Sequence, residues 1–330
     1  VLIAPAFMAG GRVTIDGVHY VTEGNNLIPV AQTPFAADKT FGFAASDLRT
    51  WVTEKTDHRV AESDVHSISL TDIRVGGVDT VTAKLEALSE HAYCTIDAVT
   101  ERDIEVVVLS ALKAESTGKR FLYRTAASFA ALRAGITLRP LLTPSDLQAP
   151  RTGGGLIVFG SYVPKSSSQL DYLLTKTDIQ SVEVFVPALL SEETRAKEIE
   201  RVVGIAGLIL SEWGNVVVYT SRELITGENG DASLKVGHVV SASLVSITKR
   251  LQSRARFIIA KGGITSSDIA TKALRCKRAR VMGQVLPGVP VWELDASSAE
   301  PDMIYVVFPG NVGGVSSVAD AIASFAQEET

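Results

Sequence analysis

The sequence predicts an α/β protein of two domains, each a mainly parallel sheet flanked by helices. Three observations predict it. Short apolar runs such as Leu156-Ile157-Val158-Phe159, Val216-Val217-Val218-Tyr219 and Phe257-Ile258-Ile259-Ala260 read as strands buried on both faces. Helix-period segments separate these runs, the alternation of a parallel sheet with crossover helices. Between Pro140 and Gly155 the composition breaks: Pro140, Pro144, Ser145, Pro150 and Gly153-Gly154-Gly155 fall close together. A linker there divides residues 1–145 from residues 146–330.

The elements follow in order. Residues 1–60 are irregular, with turn signals at Gly10-Gly11-Arg12 and Asp16-Gly17 around Val13-Thr14-Ile15, then a strand fragment at His19-Tyr20-Val21. Thr33 to Asp38 is a loop, and Ser46 or Asp47 caps a helix through Val52. Strands are expected at Val65–Leu70, Cys94–Val99 and Phe121–Tyr123, and helices at Val78–His91, Ile104–Ala114 and Ala126–Arg133. In the second half, strands at Leu156–Phe159, Val182–Val186, Val216–Tyr219, Phe257–Ala260 and Met303–Phe308 alternate with helices at Ser168–Leu174, Glu192–Leu210, Gly237–Leu251 and Val318–Phe325. Val281 to Leu294 reads as two strands bent at Pro287-Gly288.

Bulk composition excludes several classes. The chain has 330 residues, 46% of them hydrophobic and 21% charged, with a formal net charge of −5 and charges of both signs interspersed. No basic block suggests nucleic acid, and no apolar run reaches the ~18 residues of a membrane span. The two cysteines, Cys94 and Cys276, lie far apart without metal-type spacing, which fits a reducing cytoplasm. The chain opens on an apolar run, Val1-Leu2-Ile3-Ala4, without Met or a polar lead-in, and is expected to be the later part of a longer protein.

The chemistry concentrates where strands end in small residues. Gly160-Ser161, Gly262-Gly263-Ile264-Thr265 and Gly310-Asn311-Val312-Gly313-Gly314 each follow a strand run. In a parallel sheet the strand C-termini share one edge, and ligands bind where strand order reverses. Free main-chain N–H groups at such turns suit a phosphate. Tight turns alone would give the same pattern. Neither a P-loop nor a dinucleotide fingerprint occurs. Lys261 is placed to reach a phosphate or to form a surface salt bridge. Asp268 is placed to hold Mg²⁺ through water or to cap a helix. Arg222, after Tyr219-Thr220-Ser221, faces an anion or pairs with Glu223. In the first half, Asp97, Asp72 with Arg74, and Arg124-Thr125 with Ser128 follow strand runs. An arginine with hydroxyls there can hold a carboxylated polyol, or serve as caps and ion pairs. His19, His58, His66, His91 and His238 stand alone, so no metal site is expected.

Three of these stretches together resemble the four-carbon acid sugar kinase family: Lys261 to Asp268, Gly283-Gln284-Val285-Leu286-Pro287-Gly288-Val289-Pro290-Val291-Trp292, and Phe308-Pro309-Gly310-Asn311-Val312-Gly313. Arg124-Thr125-Ala126-Ala127-Ser128-Phe129, Gly160-Ser161, Tyr219-Thr220-Ser221-Arg222 and Ala4-Pro5-Ala6-Phe7 agree in order and spacing. The resemblance covers nearly the whole chain. It implies an ATP-dependent kinase that phosphorylates the terminal hydroxyl of a sugar acid such as threonate, erythronate or 3-oxo-tetronate, with Mg²⁺. The first domain would bind the acid and the second the nucleotide. By position, the resemblance places Ser161, Gly262, Gly263, Ile264, Thr265, Gly310, Asn311 and Gly313 on ATP. Arg12, Asp97, Arg124 and Ser128 fall on the acid side, and the general base stays unassigned. Partners are then small molecules, with neither nucleic acid nor membrane, and a homo-oligomer is compatible. Family members begin with an Asp-Asp-x-Thr-Gly-Ala-like loop and an Arg-Gly-Asn-like segment that this sequence does not contain, so the chain by itself is expected to bind nucleotide and to transfer phosphate poorly. A non-catalytic binding protein and a nicotinamide-linked oxidoreductase are the alternatives.

Overall fold

The structure, a computed structural model, describes residues 1–326 apart from 35, 38–41, 138, 149–151, 213, 224 and 226–229. Phe35 and Asp38 of the expected loop, and Pro150 of the expected linker, lie outside the described residues. The chain forms two compact units, Val1–Leu138 and Arg139–Thr330.

The first unit holds a parallel four-stranded sheet and a small antiparallel one. In chain order its strands are β1 (Leu2–Ala4), β2 (Arg12–Ile15), β3 (Val18–Glu23), β4 (Asn26–Pro29), β5 (Val65–Ile68), β6 (Tyr93–Ile96) and β7 (Tyr123–Thr125). The parallel sheet has the order β5-β6-β1-β7, and β2-β3-β4 form the antiparallel one. Leu2, Ala4, Cys94 and Ile96 pack on one face against Val81, Leu85, Ile104, Val107 and Phe129 of the covering helices. Ile3 and Val65 pack on the other face against Val52. That split is the period-2 alternation of a strand. Paired amides of Thr14 and Ala98 (2.9 and 3.1 Å) fasten the antiparallel sheet beside the C-terminal end of β6.

The second unit is a seven-stranded sheet. Its strands are β8 (Gly155–Phe159), β9 (Gln180–Val184), β10 (Val216–Thr220), β11 (Phe257–Lys261), β12 (Ala279–Leu286), β13 (Val289–Leu294) and β14 (Ile304–Phe308). Their order is β12-β13-β14-β11-β8-β10-β9, with β9, β10, β8, β11 and β14 parallel. The hairpin β12–β13 closes one edge, and its pairing shifts register at two places. Leu156, Val158, Ile258 and Ala260 face helices Glu192–Ser211 and Gly230–Leu251 together with Ile269 to Leu274. Ile157, Phe159, Ile259 and Phe308 face helices Pro164–Lys176 and Ser317–Ala323. From β8 the chain runs to β9 on one side, and from β11 to β12 on the other. Strand order therefore reverses between the neighbours β8 and β11, which opens a crevice at their C-terminal ends.

Local differences from the sequence reading have physical causes. The helix after β8 starts at Pro164, four residues earlier than expected, because proline at N1 pre-sets φ. Asp47 caps the helix Leu48–Lys55, whereas the Ser46 hydroxyl accepts from the Ala31 amide. After β11 the helix begins at Gly263 with Gly262 as N-cap, so Ser266, Ser267 and Asp268 lie inside it. Among the described residues, no helix is long and apolar enough to cross a membrane.

Candidate functional site

Three loops leave the C-terminal ends of the adjacent strands β8, β11 and β14, and they meet. A Cβ on Gly310 would lie 3.1 Å from Ser161 Oγ and 3.9 Å from Gly262 Cα. A Cβ on Gly262 would lie 3.1 Å from Ser161 Cβ. Gly262 also has φ of +117°, which disfavours any side chain. A Cβ on Gly160 would stand 2.1 Å from Thr265 Oγ1, so glycine there permits the loops to close on each other. Gly263 is different: a Cβ would meet nothing within 4 Å, so its outer side is open.

The amides at this meeting point are free. Among the described residues, no intramolecular acceptor takes the main-chain N–H of Ser161, Gly263, Ile264, Thr265, Gly310, Asn311 or Gly313. The first three helical residues after Gly262 are the usual orphans of a helix start. Ile264 is 73% exposed at the rim. The structure thus brings Ser161, Gly262, Gly263, Ile264, Thr265 and Gly310 to one crevice, with Asn311 and Gly313 on the same loop as Gly310. A set of outward amides without side chains over them fits a polyphosphate.

Side chains beneath the loops were read less well from sequence. Lys261 makes no surface salt bridge and reaches no solvent: it is fully buried. Its Nζ donates to the Pro309 carbonyl at 2.6 Å and lies 4.2 Å from the centre of the Phe308 ring. Burial, with Lys165 nearby adding to it, pushes its pKa down to about 7. Asp268 is neither a cap nor a free ligand: it accepts from the Ser241 hydroxyl and pairs with Lys272 at 2.8 Å. Arg222 does not pair with Glu223; its Nη2 donates to Ser167 Oγ at 2.5 Å. Ser166 and Gln169 were not foreseen. Both are buried, and they hold the glycine loop after β14. The signal was present, because two polar residues share the inward stripe with Leu170 and Leu173. Among the described residues no group of three or more His, Cys, Asp or Glu could hold a metal.

The four residues placed on the acid side are less gathered. Arg12 lies on β2 and donates to its neighbour Gly10 carbonyl at 3.1 Å, and among the described residues it has no carboxylate partner. Asp97 follows β6, is 4% exposed, and accepts from the Gly17 amide at 3.0 Å; burial raises its pKa. Arg124, on β7, lies 5.0 Å over the Trp51 ring. Ser128 stands in the first turn of helix Ala127–Arg133. Among the described residues, no hydrogen bond or ion pair joins these four to one another. Across β2 and β3 lies a buried pair that was not foreseen, Thr14 Oγ1 and His19 Nδ1 at 3.0 Å. Burial, then the Arg12 charge, lowers the His19 pKa to about 4.

Comparison with known proteins follows the same division. Residues 1–133 match the family model of a sugar-binding N-terminal domain, and residues 156–318 that of a nucleotide-binding C-terminal domain. A Salmonella typhimurium LT2 protein with a provisional tRNA-synthase name is 20% identical, with a TM-score of 0.66 over 97% of this chain and 72% of its own. A Haemophilus influenzae protein, of a family named only for its unknown function, is 19% identical, with a TM-score of 0.58 over 98% of this chain and 74% of its own. At those identities the likeness is one of fold. No curated protein matches the sequence. With a sugar-binding domain followed by a nucleotide-binding domain, in the order and over the extent that define the architecture, the chain belongs to the four-carbon acid sugar kinase family.

Proposed function

We propose that the second unit binds ATP, that the first binds a four-carbon sugar acid, and that the activity served is phosphoryl transfer to the acid's terminal hydroxyl. One observation carries the nucleotide half: seven main-chain amides without acceptors among the described residues, on three touching loops at a strand-order reversal. Phosphoryl transfer relies on positioning and charge neutralisation, and main-chain donors supply both without a reacting side chain. Ser161, Gly263, Ile264, Thr265 and Gly310 would bind phosphate oxygens, with Asn311 and Gly313 beside them. ATP itself supplies the phosphoryl group. Arg12 supports the acid half, because a half-buried guanidinium with no carboxylate partner among the described residues is suited to take one from a ligand. Asp97, Arg124 and Ser128 complete the proposed acid side.

The test is calorimetric titration of ATP into two variants. Gly263→Asp places a carboxylate in the open space over the amides. A charge about 4 Å from a phosphate oxygen opposes it by about 4 kcal/mol at an effective dielectric of about 20, so binding is expected to vanish. Gly263→Ala leaves the amides in place and is expected to bind within a few-fold of the parent. Equal ATP affinity in Gly263→Asp and the parent refutes the site.

A further inference from the structure

The loop from Pro309 to Gly314 is held from below by its carbonyls. Lys261 Nζ donates to Pro309 O at 2.6 Å. Ser166 Oγ donates to Gly310 O at 3.0 Å and, its single proton used there, lies 3.0 Å from Ser161 Oγ, from whose hydroxyl it can accept. Gln169 Nε2 donates to Val312 O at 3.0 Å and to Gly314 O at 2.8 Å. Four of the loop's carbonyls are thereby engaged by three side chains that are 0–1% exposed. Two carbonyl acceptors fix which end of the Gln169 amide is the nitrogen. The cost of that arrangement is visible, since Gln169 Oε1 is buried without a donor. Gly313 fits closely over the same amide: a Cβ there would lie 2.5 Å from Ser317 Oγ and 3.4 Å from Gln169 Nε2.

A buried amide kept half-satisfied, and an amine kept out of water, are expensive ways merely to close a loop. They have a directional effect. Peptide C=O and N–H point opposite ways, so tying the carbonyls inward turns the amides of Gly310, Asn311 and Gly313 outward, where no acceptor among the described residues takes them. Resting on the nucleotide reading above, we propose that Ser166, Gln169 and Lys261 are positioning residues that hold this loop's amides ready for the outer phosphates of the nucleotide. Ser166 also ties the loop to Ser161, which aligns the donor sets that follow β14 and β8.

The experiment compares ATP with AMP by calorimetry on the full chain, with thermal melts in parallel, for Gln169→Leu, Ser166→Ala and Ser166→Thr. Gln169→Leu is expected to weaken ATP about tenfold, the scale of a lost hydrogen bond, while AMP stays within about twofold. Ser166→Ala is expected to shift in the same sense, and Ser166→Thr, which keeps the hydroxyl, to recover parent affinity. ATP affinity unchanged in Gln169→Leu overturns the proposal. So do parallel losses for ATP and AMP, which mark a general packing role, and so does a Ser166→Thr variant as weak as Ser166→Ala. A parent chain that binds neither nucleotide removes the nucleotide reading itself, and this inference with it.

Discussion

Replacing Lys261 with Met tests whether a buried amine underlies the crevice. The side chain is fully buried and its pKa falls from 10.5 to about 7, chiefly through burial. Lysine here binds its proton less readily in the folded chain than in the unfolded one. Between pH 7 and 10.5 the unfolded state therefore holds more protons, and stability rises with pH across that window. Below about pH 7 both states are charged and the full penalty stands, roughly 5 kcal/mol; above 10.5 neither is charged and it is gone. From pH 6 to pH 9 the parent gains roughly 2–3 kcal/mol from this residue alone. Lys261→Met removes that gain. It also removes the bond to Pro309 O, a loss that the relief of burial offsets at low pH. Urea unfolding of both chains at pH 6 and pH 9 measures the effect, because every other titrating group is common to them. The stability of the parent minus that of the variant is expected to rise by roughly 2–3 kcal/mol between the two pH values. The same difference at both would falsify the assignment of a buried, easily deprotonated amine.

The other predictions are simpler. Arg12→Gln is expected to weaken a four-carbon sugar acid about tenfold in calorimetry and to leave ATP affinity unchanged; equal acid affinity removes Arg12 from the site. Asp103 is 3% exposed; burial favours its neutral form, but Arg74 and the amides of Val99 and Thr100 hold its pKa below the usual carboxylate range. Its stabilisation is thus present above about pH 4 and lost as pH falls through the folded value, and Asp103→Asn is expected to lower stability at pH 7 by about 3 kcal/mol, read by urea midpoint. Gly160→Ala drives a methyl group into Thr265 Oγ1 and is expected to cost about 1–3 kcal/mol while weakening ATP, both read by thermal shift with and without nucleotide.

The strands of the second unit were legible because parallel strands buried on both faces leave continuous apolar runs, as in Phe257 to Ala260. The glycine loops were legible for a complementary reason, since close approach excludes side chains and leaves a record in composition. Lys261 was misread because its charge suggests surface, while its position at the end of a fully buried strand decides otherwise. Ser166 and Gln169 were missed because their acceptors, Gly310, Val312 and Gly314, lie about 145 residues onward, and only the tertiary fold brings them near. The acid side was read least well. Arg12 and Asp97 sit where an antiparallel sheet folds onto the end of β6, and the pairing of Thr14 with Ala98 leaves no local trace.

The rims of the seven-stranded sheet have a consequence for how the protein behaves at high concentration. An open strand edge invites another chain to add to it. Along β12 the two register shifts break the regular row of donors, and Leu142 lies across it, its amide bonded to Gln284 O at 2.8 Å. On β9 the Arg201 guanidinium donates to Glu183 O at 2.6 Å, placing a cation on the backbone that a newcomer would need. Both borders are thus spoiled as templates for aggregation. A truncation that begins after Leu142 would uncover one of them, so the segment ahead of β8 belongs in any version of the nucleotide-binding half made alone.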